Sequence, residues 1–581
     1  MRKRPSFLPL AALATALLLG ACTTKPAADA ETPIESLPPS QAADAYGHYL
    51  SAHLAASEHD IADAAVLYQA GLKDDPGNAD LLNRAFLYTA AAGDADTAAQ
   101  LAAQVVAGSP DDRAARLALA VDAIRHNDFA GARKQITLSA KGPFTTLTLS
   151  LVDAWAAAAL GDNATAIEDL KQVPLQGGTD SLAAYHRALI LDLTGDNAGA
   201  DAAYKQAMPD KGPGPRVVDA YGRFLERTGR KADAEAFYDK LGDDESLAPI
   251  IAEAKERMAA GKLPERLVPS FNDGAAESLF GIASSLTDAT SADIAILYLR
   301  FALSMSPNLD LAKIVLADRF ESLQKYDDAI DVYRTVNVDS PYAPAAAVQV
   351  AIDETRVNQT KKAIEDLEML TKAIPDDVSA WTALGDAYRS SERFPDAATA
   401  YDNAIKAVGT PAAKDWPLFY ARAVSEERAN RWDDAEKDLQ LALKLSPDQP
   451  QVLNYLGYSW VDRGRNLPQA LAMLEKARAL SPFDGYIVDS VGWAYFKVGR
   501  YSDAAKTLED AVLLVPGDPT INDHLGDAYW RVGRKLDAHF QWSHALAFGP
   551  TDDDKPKIEK KLEVGLAPAA KIALPAKKHS G

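Results

Sequence analysis

The chain has 581 residues, 48% of them hydrophobic, and a formal net charge of −21 from 82 acidic and 61 basic side chains. So large an acidic excess argues against nucleic acid as a partner, since phosphates are met by cations, and it suits a soluble body that attracts basic proteins. A single cysteine excludes an internal disulfide.

Residues 1–21 begin with Arg2, Lys3 and Arg4 and continue through an apolar stretch, Phe7 to Leu19, too short for a permanent membrane helix. The pattern is that of an export signal. It closes on Leu19-Gly20-Ala21-Cys22, which resembles the lipobox of bacterial lipoproteins. The resemblance implies cleavage before Cys22 and lipidation of its sulfur, several acyl chains together holding far more firmly than one. An ordinary signal that happens to contain a cysteine is the alternative. By analogy with the sorting rule of that family, Thr23 is not the aspartate that retains lipoproteins at the inner membrane, so the expected location is the outer membrane, facing the periplasm. Loss of the signal removes three cations and takes the charge from −21 to −24. Residues 22–43, with Pro26, Pro33, Pro38 and Pro39, read as a flexible stalk.

Beyond the stalk, internal repetition dominates. Alanines recur at Ala64, Ala98, Ala132, Ala166, Ala200 and Ala234, each 34 residues after the last. The same interval runs through Ala295, Ala329, Ala363 and Ala397, and resumes at Ala435, Ala470, Ala504 and Ala538 after small insertions. One stretch, from Val378, places Trp381, Leu384, Gly385 and Tyr388 on one predicted helix and Ala397, Tyr401 and Ala404 on the next. This period and these residue choices resemble the tetratricopeptide repeat. The resemblance implies an all-α fold, a right-handed superhelical solenoid of about fourteen helix hairpins. Small residues at the Gly and first Ala positions let two antiparallel helices cross closely, while Leu and Tyr, three and four apart, form the apolar stripe between hairpins. Boundary prolines such as Pro375, Pro447, Pro482 and Pro516 stop each repeat, because proline lacks the N–H that a continuing helix needs.

Between Ala234 and Ala295 the interval is 61 residues where two repeats would take 68. The reading is therefore an N-terminal array over 44–240, a connector over 241–275 and a C-terminal array over 276–551. In the connector, Pro249 to Ala260 is expected to be helical and Lys262 to Gly274 extended; a hinge and a packed segment both remain open. Residues 552–566 carry Ile558, Leu562 and Leu566 on one face and form a capping helix, and 567–581 read as a disordered basic tail.

No catalytic constellation is found: there is no phosphate-binding Gly-rich loop, no His-Glu-x-x-His and no Gly-x-Ser-x-Gly. An enzyme is not expected, nor any cofactor or metal. His539 and His544, five apart, face different sides of a helix, and Asp523 with His524 reads as groove lining more readily than as a catalytic dyad.

In this repeat family the first helix of each hairpin lines the concave face. The positions between its packing residues carry Asn454 and Tyr458, then Tyr486, Asp489, Trp493 and Phe496, then Thr520, Asp523, Asp527 and Trp530. Aromatic rings beside carboxylates suit an extended protein segment with apolar and basic side chains. The alternative is that Trp493 and Trp530 pack on neighbouring repeats and the aspartates cap helices or pair between repeats. Signal, stalk and solenoid together resemble large repeat lipoproteins of bacteria, among them the binding partner of the periplasmic C-terminal processing protease. That resemblance implies a protein-binding scaffold, an adaptor that brings such a protease to peptidoglycan hydrolases; the alternative is an assembly factor for an outer-membrane export machine, for exopolysaccharide or a secretin.

Overall fold

The computed structural model describes residues 39–171, 179–208, 214–242, 244 and 247–567. Cys22 and the signal, most of the stalk and nearly all of the 567–581 tail lie outside them. Among the described residues the regular structure is thirty α-helices and two short 3-10 helices, with no strand. Fourteen times a helix is followed by a second one bearing an alanine of the 34-residue series, and all fourteen of those alanines are 0 or 1% exposed. Burial of a methyl at each crossing is what the period encodes.

Local chemistry sets the ends of the helices. Asp518 accepts from the backbone N–H groups of Thr520 and Ile521 at 2.8 and 2.9 Å, and Asp377 and Asp484 cap their helices in the same way. Gly533, at φ +86°, makes the left-handed turn between the last two paired helices. First helices are fastened to the preceding repeat by tyrosines: Tyr388, Tyr495 and Tyr529 donate to Glu368, Glu475 and Glu509 at 2.6, 2.8 and 2.8 Å.

Contacts divide the chain into two compact units, one ending at Gln359 and the other starting at Thr360. The sequence places its break earlier, at 241–275, and the first unit shows why that segment does not separate two bodies. Its expected helix is present as Ala248–Ala259. The stretch that follows is extended only as far as Ser270, which caps the next helix, so Phe271 to Gly274 are helical and not extended; it is packed, with Val268 3% exposed and Arg266 reaching the Asp192 carboxylate at 3.4 Å. The next pair, Phe271–Ser285 and Ala292–Met305, then lies along the first helices of earlier repeats, packing on Ala79–Ala92, Arg113–Arg125, Pro143–Ala159 and Thr179–Thr194. Gly274 sits against the Trp155 ring, and Arg300 donates to the Ala91 carbonyl at 3.2 Å. Glu277, 2% exposed, accepts from Tyr185 at 3.0 Å and from Arg216 at 2.9 Å. Burial alone would raise the Glu277 carboxyl, but the Arg216 charge outweighs it and holds the group below its ordinary range. The face of the first array that its first helices line is thus filled by the chain itself.

The second unit stacks the helix Thr360–Ala373 and the pairs Val378–Val408, Trp416–Leu445, Pro450–Leu480, Gly485–Leu514 and Pro519–Ala547. Each first helix carries a Gly or small residue against a large one on its partner. A Cβ on Gly385 would come within 2.6 Å of the Tyr401 ring, and one on Gly526 within 2.5 Å of Trp542. The helix Lys555–Val564 closes the stack, with Ile558 1% exposed.

Candidate functional site

The first helices Pro450–Asp462, Gly485–Lys497 and Pro519–Arg531 carry the ten residues that the sequence singles out. The structure sorts them into three groups.

Asn454, Tyr458, Tyr486 and Asp489 share one open cleft of about 390 Å³, with Thr520 on its far wall. Tyr486 is 59% exposed, so its ring is available. The Asn454 side-chain oxygen is covered and lacks a hydrogen-bond partner. Burial, with Asp489 and Asp462 nearby, pushes the Tyr458 hydroxyl up to about 12, so it is protonated and able to donate. The cleft therefore offers one donor and two aromatic rings, with the carboxylates of Asp462 and Glu427 at its rim. Asp462 was not anticipated, although it extends the line Asn454, Tyr458 by another four residues along the same helix face. Tyr455 and Ser490, at the wall, carried no separate signal.

Trp493 and Phe496 are packing residues. Their rings stack at 4.9 Å, and Trp493 stacks on His524 of the following repeat at 3.9 Å and 12°. His524 in turn pairs with Asp489 at 2.9 Å and not with its sequence neighbour Asp523. Burial works against the imidazolium, yet the Asp489 charge outweighs it and raises His524 above its usual value. Half of Asp489 thus belongs to the cleft and half to an inter-repeat ion pair.

Asp523, Asp527 and Trp530 are covered by the chain's own cap. Lys561 binds Asp523 at 2.7 Å and Asp527 at 2.8 Å. Trp542 donates its indole N–H to Asp527 at 3.0 Å, and Gly565 lies against the Trp530 ring, leaving no room for a side chain. For these three the packing alternative holds. His539 lies beside Trp530 and Trp542, and His544 beside Phe548. Among the described residues no group of three or more His, Cys, Asp or Glu is placed to hold a metal ion, and no helix is long and apolar enough to cross a membrane.

The tetratricopeptide-repeat family matches residues 351–414, 420–485 and 492–550. These three segments of the second half are built of tetratricopeptide repeats. Such scaffolds are as a rule non-enzymatic and bind other proteins. Over 201 residues this repeat protein is 26% identical to the TPR repeat-containing protein PA4667 of Pseudomonas aeruginosa, covering 34% of this chain and 33% of that one. Over 112 residues it is 36% identical to the cytochrome c-type biogenesis protein CycH of Rhizobium meliloti, 19% of this chain and 28% of the other. It thus spans about a third or less of the length of these curated relatives. Similar solved structures include the APC/C hetero-tetramer Cut9-Hcn1, at 15% identity and a TM-score of 0.37 over 89% of this chain and 96% of that one. Yeast Tom70 is matched at 15% identity and a TM-score of 0.34, over 90% and 96%. YrrB, a TPR protein with an unusual peptide-binding site, is matched at 18% identity and a TM-score of 0.26, over 33% and 92%.

Proposed function

We propose that the chain is a lipid-anchored scaffold of the bacterial envelope that holds an extended segment of a protein partner in the cleft between Asn454 and Thr520. The observation that carries this reading is the cleft's combination of a protonated phenol and an exposed ring on successive first helices. A peptide backbone supplies a carbonyl for Tyr458, while an apolar or basic side chain lies on the Tyr486 ring. The first array supports the same choice by default, its corresponding face being occupied by residues 271–305.

Anchorage through Cys22 supplies the second half of the function. A tether confines the scaffold and whatever it holds to one membrane face, raising the effective concentration of two bound proteins toward each other. On this reading the chain is an adaptor at the outer membrane that brings a C-terminal processing protease to cell-wall hydrolases. The resemblance of signal, stalk and solenoid to such lipoproteins supports it.

Affinity capture from the native envelope tests both halves. Wild type is expected to recover a processing protease with peptidoglycan hydrolases, and Tyr458→Ala with Tyr486→Ala is expected to lose them while keeping its helix content. Recovery of exopolysaccharide-export or secretin components instead would overturn the adaptor role. Capture unchanged by the double substitution would overturn the cleft. A Cys22→Ser chain found still attached to the membrane would overturn lipid anchorage.

A further inference from the structure

Three repeats of the second unit treat the arginine that starts the second helix alike. Arg393, Arg500 and Arg534 each bind the aspartate three residues on, Asp396, Asp503 and Asp537, at 2.8, 2.6 and 2.6 Å. Each also lies over the tyrosine five residues back, Tyr388, Tyr495 or Tyr529, at 4.4, 4.1 and 3.8 Å. These guanidiniums are fully engaged.

Two adjacent repeats depart from the pattern, and they depart together. Arg431 has Glu426 where the tyrosine would stand, at 3.7 Å, and its aspartate, Asp434, binds Lys437 at 3.0 Å instead. In the second, a one-residue insertion puts Asn466 at the start of the helix and leaves Arg465 just before it, with Pro468 and no aspartate three residues on, and the aromatic residue five back from Arg465, Trp460, donates its indole N–H to Glu436 at 2.6 Å. Arg465 is exposed and makes no ion pair among the described residues. A third guanidinium, Arg463, replaces the uncharged residue found at that place in the regular repeats; it lies over Trp432 at 4.1 Å and touches Glu427 at 2.9 Å. All three line one open cleft of about 600 Å³, with Trp432, whose indole N–H is covered and has no acceptor.

We infer that this cleft binds a carboxylate, presented by an acidic segment of a protein partner. Two under-used guanidiniums and a stacked third, brought together by the turns of successive repeats, are the donors that a planar carboxylate accepts in pairs. Asp433 and Asp434 also line the cleft, so the local balance of charge favours a singly charged carboxylate over a phosphate dianion. In a chain of net charge −21 this is a local acceptor of anions, opposite in preference to the neighbouring Tyr458–Tyr486 cleft, which Arg463 also borders.

The test uses the full chain labelled with 5-fluorotryptophan, whose eight fluorine signals include Trp432, assigned by Trp432→Phe. Titration with an acetylated, amidated tri-glutamate peptide is expected to shift the Trp432 signal saturably. Arg465→Ala is expected to weaken that binding about tenfold or more, and Arg465→Lys to restore part of it, because an ammonium cannot make the paired bonds. Tyr486→Ala is expected to bind the peptide as wild type does, which separates this site from the cleft beside it. The proposal is overturned if tri-glutamine shifts the signal equally, if inorganic phosphate shifts it and tri-glutamate does not, or if Arg431→Ala and Arg465→Ala both leave the affinity unchanged.

Discussion

Two glycines at helical positions show how one methyl decides between opposite effects. Replacing a helix-interior glycine by alanine gains up to about 1 kcal/mol of helix propensity wherever the methyl meets nothing. At Gly47 nothing lies within 4 Å of the added Cβ, so Gly47→Ala is expected to stabilise the first unit. At Gly385 the Cβ arrives 2.6 Å from the Tyr401 ring, which is 0% exposed and donates to Asp386 at 2.7 Å, so the ring cannot swing away without loss. Overpacking of that kind costs about 1–3 kcal/mol, more than the propensity returns, and Gly385→Ala is expected to lower the denaturation midpoint of the second unit. Opposite signs in chemical denaturation are the check; the same sign at both sites would refute the argument. Histidine 186 makes a pH-dependent contribution of the other kind. Fully buried, with Nδ1 accepting from Trp155 at 3.1 Å, it is held by burial at about 4, below its ordinary value. The unfolded chain therefore binds a proton that the folded chain refuses as pH falls from about 6.5 towards 4, and stability is lost over that window by up to about 3 kcal/mol. Thermal unfolding of His186→Gln, which keeps an acceptor for Trp155, is expected to show a flatter pH profile between 6.5 and 5.

The cap helix Lys555–Val564 joins the fold to the site. It buries Ile558 and lays Lys561 between Asp523 and Asp527, two carboxylates of one first helix that would otherwise repel each other in a half-buried place. Burial already pushes the Asp527 carboxyl upward, with Lys561 opposing. Removing the ammonium while leaving both carboxylates, as in Lys561→Met, is expected to cost about 3 kcal/mol near neutral pH. The loss should shrink as pH falls and Asp527 takes up a proton. Denaturant titrations of the variant at pH 7 and pH 5 read this directly, and an equal loss at both would rule out the charge explanation. The cap itself was legible in the sequence, because Ile558, Leu562 and Leu566 repeat at helical spacing. Its consequence for the candidate site was not. Concave-face positions can be listed from the repeat pattern, which is why Asn454, Tyr458 and Tyr486 do lie together on the cleft. Whether such a position is open depends on what else folds over it, and the pairing of Lys561 with a helix more than thirty residues earlier leaves no local periodicity. The same holds for Trp493, whose partner His524 sits one repeat away.

A 34-residue ruler reports nearest-neighbour stacking, and it is accurate wherever stacking is all there is. In the second unit every fully buried ruler alanine lies where the period puts it, and the apolar core among the described residues falls into separate clusters strung along the stack. In the first unit a slip of the ruler reads as a boundary, yet the residues after it return to the start of the chain. Arg300 and Ala91 are 209 positions apart, and one continuous core runs from Ala52 to Val350. Contacts of that separation have no period and are invisible to a search for one. The two architectures predict different dynamics. A stack coupled only to its neighbours opens from its ends inward, whereas an inner helix pair that touches four repeats at once couples their openings. Hydrogen exchange followed by mass spectrometry is therefore expected to give a graded profile across residues 378–547, with protection falling towards the ends. Across 79–194 and 271–305 the slowest amides are expected to exchange with one common free energy. Glu277→Gln, which weakens the bonds from Tyr185 and Arg216, is expected to lower protection on the helices Pro143–Ala159 and Thr179–Thr194 as much as on Phe271–Ser285 itself. Loss confined to the substituted helix would show that the inner pair rests in the array without holding it together.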